Sequence, residues 1–117
     1  MKKILEENKS FYKDLEARTE FVDKFSKQYR LNKYDIQMLM IIVEHETILL
    51  REILVKELMK KNQVNKSVKN LYDAKLITKV RLPHDERTVE LGIREDSKDK
   101  VLEIIKSFNE AMKKFNM

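Results

Sequence analysis

Apolar residues recur along the first quarter of the chain at the spacing of one helix face. From Lys3 to Tyr29 they are Ile4, Phe11, Leu15, Val22, Phe25 and Tyr29, at steps of 7, 4, 7, 3 and 4, which predicts one long amphipathic helix over 3–29. At a rise of about 1.5 Å per residue such a helix is about 40 Å long, more than a small domain is wide. Asn32-Lys33-Tyr34-Asp35 follows. Asn32 has the side chain of an N-cap, and Asp35, three positions on, can answer the cap and complement the helix dipole. The helix it opens, Lys33 to about His45, is apolar nearly all round through Ile36, Met38, Leu39, Met40, Ile41, Ile42 and Val43, and is expected at the centre of the core.

Shorter elements come next. Thr47-Ile48-Leu49 is too brief for a helix and reads as a short strand, and Leu50 to Leu58 resumes the helical period with Leu50, Ile53, Leu54 and Leu58. Met59-Lys60-Lys61 has the composition of a turn, after which a helix from about Asn62 to Ala74 turns Val64, Val68 and Leu71 inward. Two short helices joined by a polar turn make a helix-turn-helix. The period then changes to two. Ile77 to Leu82 alternates apolar and polar, Pro83 to Arg87 has turn composition, and Thr88 to Ile93 alternates again, which predicts a β-hairpin with a charged tip. From Asp96 the helical period returns through Val101, Ile104, Ile105, Phe108, Ala111, Met112 and Phe115, a terminal helix over 96–115. The expected fold is mainly α with a small β-hairpin wing (α+β): a winged helix-turn-helix flanked by long N- and C-terminal helices, as a single domain over 1–117.

Composition narrows the function. One Gly, one Pro and no Cys in 117 residues exclude collagen-like, linker-like and disulfide-framework chains, thiolate metal sites and thiol-based redox sensing. The longest apolar run, Ile36 to Val43, is interrupted by Gln37 and falls far short of the roughly 20 residues a bilayer span needs. Met1-Lys2-Lys3 is basic, but Glu6, Glu7 and Lys9 break any apolar segment of a signal peptide, so a soluble, cytoplasmic protein with no membrane partner is expected. A single Gly leaves no phosphate-binding glycine loop, and Ser10, Ser26, Ser67 and Ser97 have no neighbouring His or glycine turn, so no enzyme is expected. His45 between Glu44 and Glu46, and His84 before Asp85 and Glu86, read as solvated helix end and internal salt bridge, with no metal and no cofactor.

The net charge of +5 is unevenly placed. Between Lys60 and Arg81 stand seven cations against one carboxylate, Asp73, a net +6 that leaves −1 for the rest of the chain. One basic segment on a neutral body suits a phosphate-bearing partner, because neutralising phosphates releases condensed counterions. With Val64, Val68 and Leu71 inward, Asn62, Lys66, Lys69 and Asp73 point outward, flanked by Gln63, Asn65 and Asn70. Amides can pair bidentately with adenine and Lys can donate to guanine or phosphate, so these residues are candidate major-groove contacts. Asn62 is equally suited to capping its helix, and the lysines to simple solvation. In the hairpin Lys79, Arg81, His84 and Arg87 can lie beside phosphates or enter a narrow A·T-rich minor groove, where the potential is most negative.

The hairpin stretch Lys79-Val80-Arg81-Leu82-Pro83-His84-Asp85-Glu86-Arg87-Thr88-Val89 closely resembles the Arg, short gap, Asp-Glu-Arg wing signature of the SarA branch of the MarR family of bacterial transcription regulators. Asn62 to Leu71 resembles its recognition helix, and the pattern covers essentially the whole chain. The cysteine some members use to sense oxidation is missing, and Ala74-Lys75-Leu76 stands where MarR-type proteins commonly carry a Gly. The resemblance implies a transcription regulator acting on virulence or related adaptive genes. It also implies that Asp85 orients an arginine, Arg81 or Arg87, by a salt bridge rather than touching DNA. As the terminal helices would otherwise expose a large apolar surface, a homodimer is expected to bury Ile4, Phe11, Leu15, Val22 and Phe25 of one and Phe108, Met112 and Phe115 of the other. The partner expected is A·T-rich double-stranded DNA. The competing reading is a protein-interaction module or anti-regulator that binds another protein through its terminal helices. A small-molecule effector stays open, since Phe25, Tyr29, Met38 and Met40 are more simply core.

Overall fold

A computed structural model describes the backbone of residues 1–117 and the side chains of all but residues 85–87. The elements run α1 (Lys2–Lys27), α2 (Lys33–His45), β1 (Thr47–Leu49), α3 (Leu50–Val55), α4 (Lys61–Asp73), β2 (Ile77–Leu82), β3 (Asp85–Ile93), a 3-10 turn at Glu95–Ser97 and α5 (Lys98–Phe115). The order is the one the periodicity predicts: a winged helix-turn-helix with long terminal helices. The molecule measures 62 × 29 × 20 Å, elongated because α1 outruns the body.

Local chemistry sets the element ends. α2 opens with a full capping box: Asn32 Oδ1 accepts the Tyr34 and Asp35 N–H groups at 2.9 and 3.0 Å, while Asp35 Oδ2 accepts the Asn32 N–H at 3.0 Å. α1, α3 and α4 all end in the same six-residue turn, and α1 and α3 end sooner than their apolar periods do. Leu31 N–H returns to Ser26 O, Leu58 to Ile53 O and Leu76 to Leu71 O, with the preceding residue in the left-handed region: Arg30 at φ 59, Glu57 at φ 51 and Lys75 at φ 62. These are Schellman caps made without glycine. The apolar contact that accompanies the motif is present at α4, where Leu71 and Leu76 are both buried. The left-handed position costs an L-residue roughly 1 kcal/mol, partly offset by the greater freedom glycine has when unfolded. Lys75→Gly is therefore expected to stabilise the fold by about 0.5–1 kcal/mol, raising Tm by a few degrees at fixed protein concentration. Thermal melts followed by circular dichroism check this; a lower Tm would contradict the cap.

The three strands form an antiparallel sheet in the order β1-β3-β2. β1 lies on the far side of β3 from β2, pairing Thr47↔Gly92, Ile48↔Leu91 and Leu49↔Glu90. The chain's one glycine sits where β3 passes between two threonines: a Cβ on Gly92 would stand 3.2 Å from Thr78 Oγ1 and 3.5 Å from Thr47 Cγ2. The hairpin turn is tighter than its composition suggests. β3 begins at Asp85 rather than Thr88, and the register jumps from Arg81↔Val89 to Leu82↔Asp85, leaving Pro83 and His84 to reverse the chain.

α2 lies at the centre of the core as expected, with Met38, Leu39 and Ile42 fully buried. Ile53 of α3, Val64, Val68 and Leu71 of α4, Ile77 and Leu91 of the sheet, and Val101 and Ile104 of α5 close around it. Three residues expected in an intermolecular interface, Phe25, Phe108 and Phe115, make ring contacts within this chain. Phe25 is only 5% exposed, its ring edge-on to Phe108 at 5.1 Å, because the end of α1 lies against α5. Phe115 stacks on Phe21 at 4.8 Å, so the C-terminal aromatic stripe is largely covered within the chain, although Phe115 keeps 39% exposure. The first half of α1 has no such cover: Ile4, Phe11 and Leu15 are 57%, 69% and 50% exposed, with Leu5 and Tyr12 beside them.

Candidate nucleic-acid interface

The basic segment folds as α4 and β2. α4 buries Val64, Ser67, Val68 and Leu71 and leaves Asn62, Asn65, Lys66 and Lys69 exposed, as the helical period requires, with Gln63 half-buried. Asn62 is free of the capping role that competed for it. Lys60 is the N-cap, no side chain caps α4, and Asn62 lies within the first turn. Lys69 donates to Asp73 Oδ2 at 3.0 Å, an exposed pair one turn apart, whereas Lys66 makes no ion pair among the described residues. Asn70 is drawn away from this face: its amide nitrogen stands 3.4 and 3.5 Å from the carboxylate oxygens of Asp35 in α2.

The wing is joined to α4 by a contact that sequence reasoning missed. Lys79 Nζ on β2 sits 4.6 Å from the ring centre of Tyr72, within reach of a cation–π attraction. Tyr72 is 47% exposed and lies seven residues after Asn65, hence on the same helix face. An aromatic at that spacing in a run of amides and lysines was the available signal. Between helix and wing runs an open groove of about 420 Å³ whose lining brings together Asn65, Lys69, Tyr72, Lys79 and Arg81. Arg81 and His84 are both exposed on the wing, and Arg81 is engaged by a neighbour. The side chains of Asp85 and Arg87 lie outside the described residues, as does the orienting salt bridge expected of Asp85.

Nothing else among the described residues gathers comparable chemistry. His45 Nδ1 lies 2.8 Å from Ile41 O, turned back onto its own helix. Among the described residues no three His, Asp or Glu side chains stand close enough to hold a metal ion. Nor is any helix of the described residues long and apolar enough to cross a membrane.

The family described as "Transcriptional regulator SarA/Rot" matches residues 20–104, which include the helix-turn-helix and the whole wing. The chain belongs to the SarA/Rot family. Its function class is accordingly that of a transcriptional regulator, not an enzyme. Solved structures of MarR-type regulators share the fold. The structure of reduced AbfR bound to DNA aligns at a TM-score of 0.68 and 19% identity, covering 92% of this chain and 77% of that one. YusO from Bacillus subtilis aligns at 0.70 and 14% identity, covering 98% and 82%. A cysteine-to-serine mutant of MarR from E. coli complexed with operator DNA aligns at 0.67 and 10% identity, covering 87% and 73%. No curated protein matches the sequence. For the SarA/Rot chain, then, the family assignment rests on the sequence match, and the structural likenesses extend the winged-helix fold across nearly its full length.

Proposed function

We propose that this SarA/Rot-family regulator binds A·T-rich duplex DNA as a homodimer, with α4 in the major groove and the hairpin in the adjacent minor groove, and that it controls virulence or other adaptive genes. The observation that carries the reading is the cationic groove between α4 and β2, lined by Asn65, Lys69, Lys79 and Arg81, with Lys66 exposed on the same helix. Asn62, Gln63 and Asn65 are its candidate base readers, Lys66 and Lys69 its phosphate or guanine contacts, and Lys79, Arg81, His84 and Arg87 its wing contacts. The MarR-fold relatives AbfR and MarR have been seen on DNA, which supports carrying the mode of binding to this chain.

The uncovered half of α1 supports dimerisation. Ile4, Phe11 and Leu15 repeat at steps of 7 and 4, the spacing of a helix–helix seam, and a soluble chain rarely leaves such a row in water. A two-fold pairing covers the row and sets two copies of α4 about one turn of DNA apart.

The test is a titration of labelled duplex with wild type and Lys66→Ala. A phosphate contact predicts that Lys66→Ala weakens binding to all duplexes alike and lowers the slope of log K against log salt by about 1 per site. An unchanged slope and affinity would remove Lys66 from the interface.

A further inference from the structure

Asp35 is a carboxylate closed off from solvent, 1% exposed, in the first turn of α2. Its Oδ2 accepts the Asn32 N–H at 3.0 Å as half of the capping box. The other donor is the side-chain amide of Asn70 on α4, 3.5 Å from Oδ1 and 3.4 Å from Oδ2. Among the described residues no cation pairs with Asp35, and this amide makes the one side-chain hydrogen bond between α2 and α4. A buried carboxylate oxygen left without a donor is costly, more so than a neutral group. Swinging the Asn70 amide outward to a base edge would take from Oδ1 the only donor it has among the described residues.

We propose that Asn70 is a positioning residue: it ties the recognition helix to Asp35, and so fixes how α4 presents Asn62, Asn65, Lys66 and Lys69, instead of reading a base itself. The role rests on the DNA-binding function proposed above. Asp35 thereby serves two elements at once, starting α2 with one contact and holding α4 with the other, so that the angle between the two helices is set at the point where α2 begins.

The test compares Asn70→Asp with the exchange Asp35→Asn/Asn70→Asp on one A·T-rich duplex at low salt, with hydrogen exchange of the α4 amides measured on the same proteins. Asn70→Asp sets two carboxylates against each other, whereas the exchange restores an amide–carboxylate pair with its partners reversed. Both carry the same acid at position 70, so a base-reading amide is lost equally in both. The tie predicts that the exchange binds about tenfold or more tighter than Asn70→Asp, as strongly coupled neighbours do, with the salt slope of wild type and with α4 protection restored. Equal affinities for the two variants would overturn it.

Should Asn70→Asp fail to fold, Asn70→Ala takes its place. It is expected to lose about tenfold in affinity alone but less than about twofold when Asp35→Asn is already present; a full loss in both backgrounds would overturn the tie. A wild type that binds no duplex refutes the DNA-binding function separately. The α4 amides then decide: protection lost in Asn70→Asp and regained in the exchange upholds the tie, and protection that does not follow the pair overturns it.

Discussion

A Phe11→Asp/Leu15→Asp variant is expected to run as a folded monomer and to bind a duplex with two half-sites about 100-fold more weakly than wild type, the scale on which losing a second, tethered contact is felt. Both side chains stand on the exposed first half of α1, at 69% and 50% exposure, so carboxylates there disturb little intramolecular packing. In a two-fold seam they would face apolar partners and one another, which two subunits cannot accommodate. Light scattering reads the mass and circular dichroism the retained helix. A variant that stays dimeric would move the interface elsewhere, with α5 the next element to examine.

The second large effect is expected at Arg87. Arg87→Ala should lower affinity for A·T-rich duplex by at least about tenfold at low salt and cut the preference over G·C-rich duplex, since a guanidinium in a narrow minor groove responds to groove shape as well as to charge. The comparison with Lys66→Ala separates the two contributions. Loss of a phosphate contact weakens all sequences together, whereas loss of a minor-groove contact weakens A·T-rich ones most. Titrations of both variants on both duplexes check this, and an Arg87→Ala protein that binds as tightly as wild type would refute the wing contact. The same measurement on Tyr72→Leu asks whether the Lys79–Tyr72 contact steadies the wing against α4.

Much of this architecture was legible in the sequence because each element declared itself by a period. The 3.6-residue period marked α1, α2, α4 and α5, the alternation on either side of Pro83 marked the hairpin, and Asn32 with Asp35 announced the start of α2 down to the reciprocal hydrogen bonds. The errors share a physical cause. Arg30 and Glu57 end helices in a conformation that glycine usually marks, and neither is a residue that signals it, so α1 and α3 were drawn too long. The strand β3 was drawn too short because Asp85 and Glu86 look like turn residues while the backbone there already pairs with β2.

Side-chain roles were harder to read than elements. Periodicity put Asn70 on the flank of the outer face, but only tertiary packing shows that a buried carboxylate from another helix holds its amide. Phe25 shares a stripe with Phe11 and Leu15 on a helical wheel, yet it sits where α5 covers α1, while the other two lie beyond the body of the protein. A stripe specifies a face; where along that face a neighbour ends is set by the fold.

The central claim is that one cationic face binds duplex DNA with a preference for A·T-rich sequence in a dimeric protein. Fluorescence anisotropy of wild type with labelled A·T-rich and G·C-rich duplexes across a salt series, with light scattering on the same sample, measures this directly. The account predicts a dimer that binds the A·T-rich duplex more tightly, with affinity falling steeply as salt rises. A protein indifferent to both duplexes at low salt would contradict it and turn attention to a protein partner for the terminal helices.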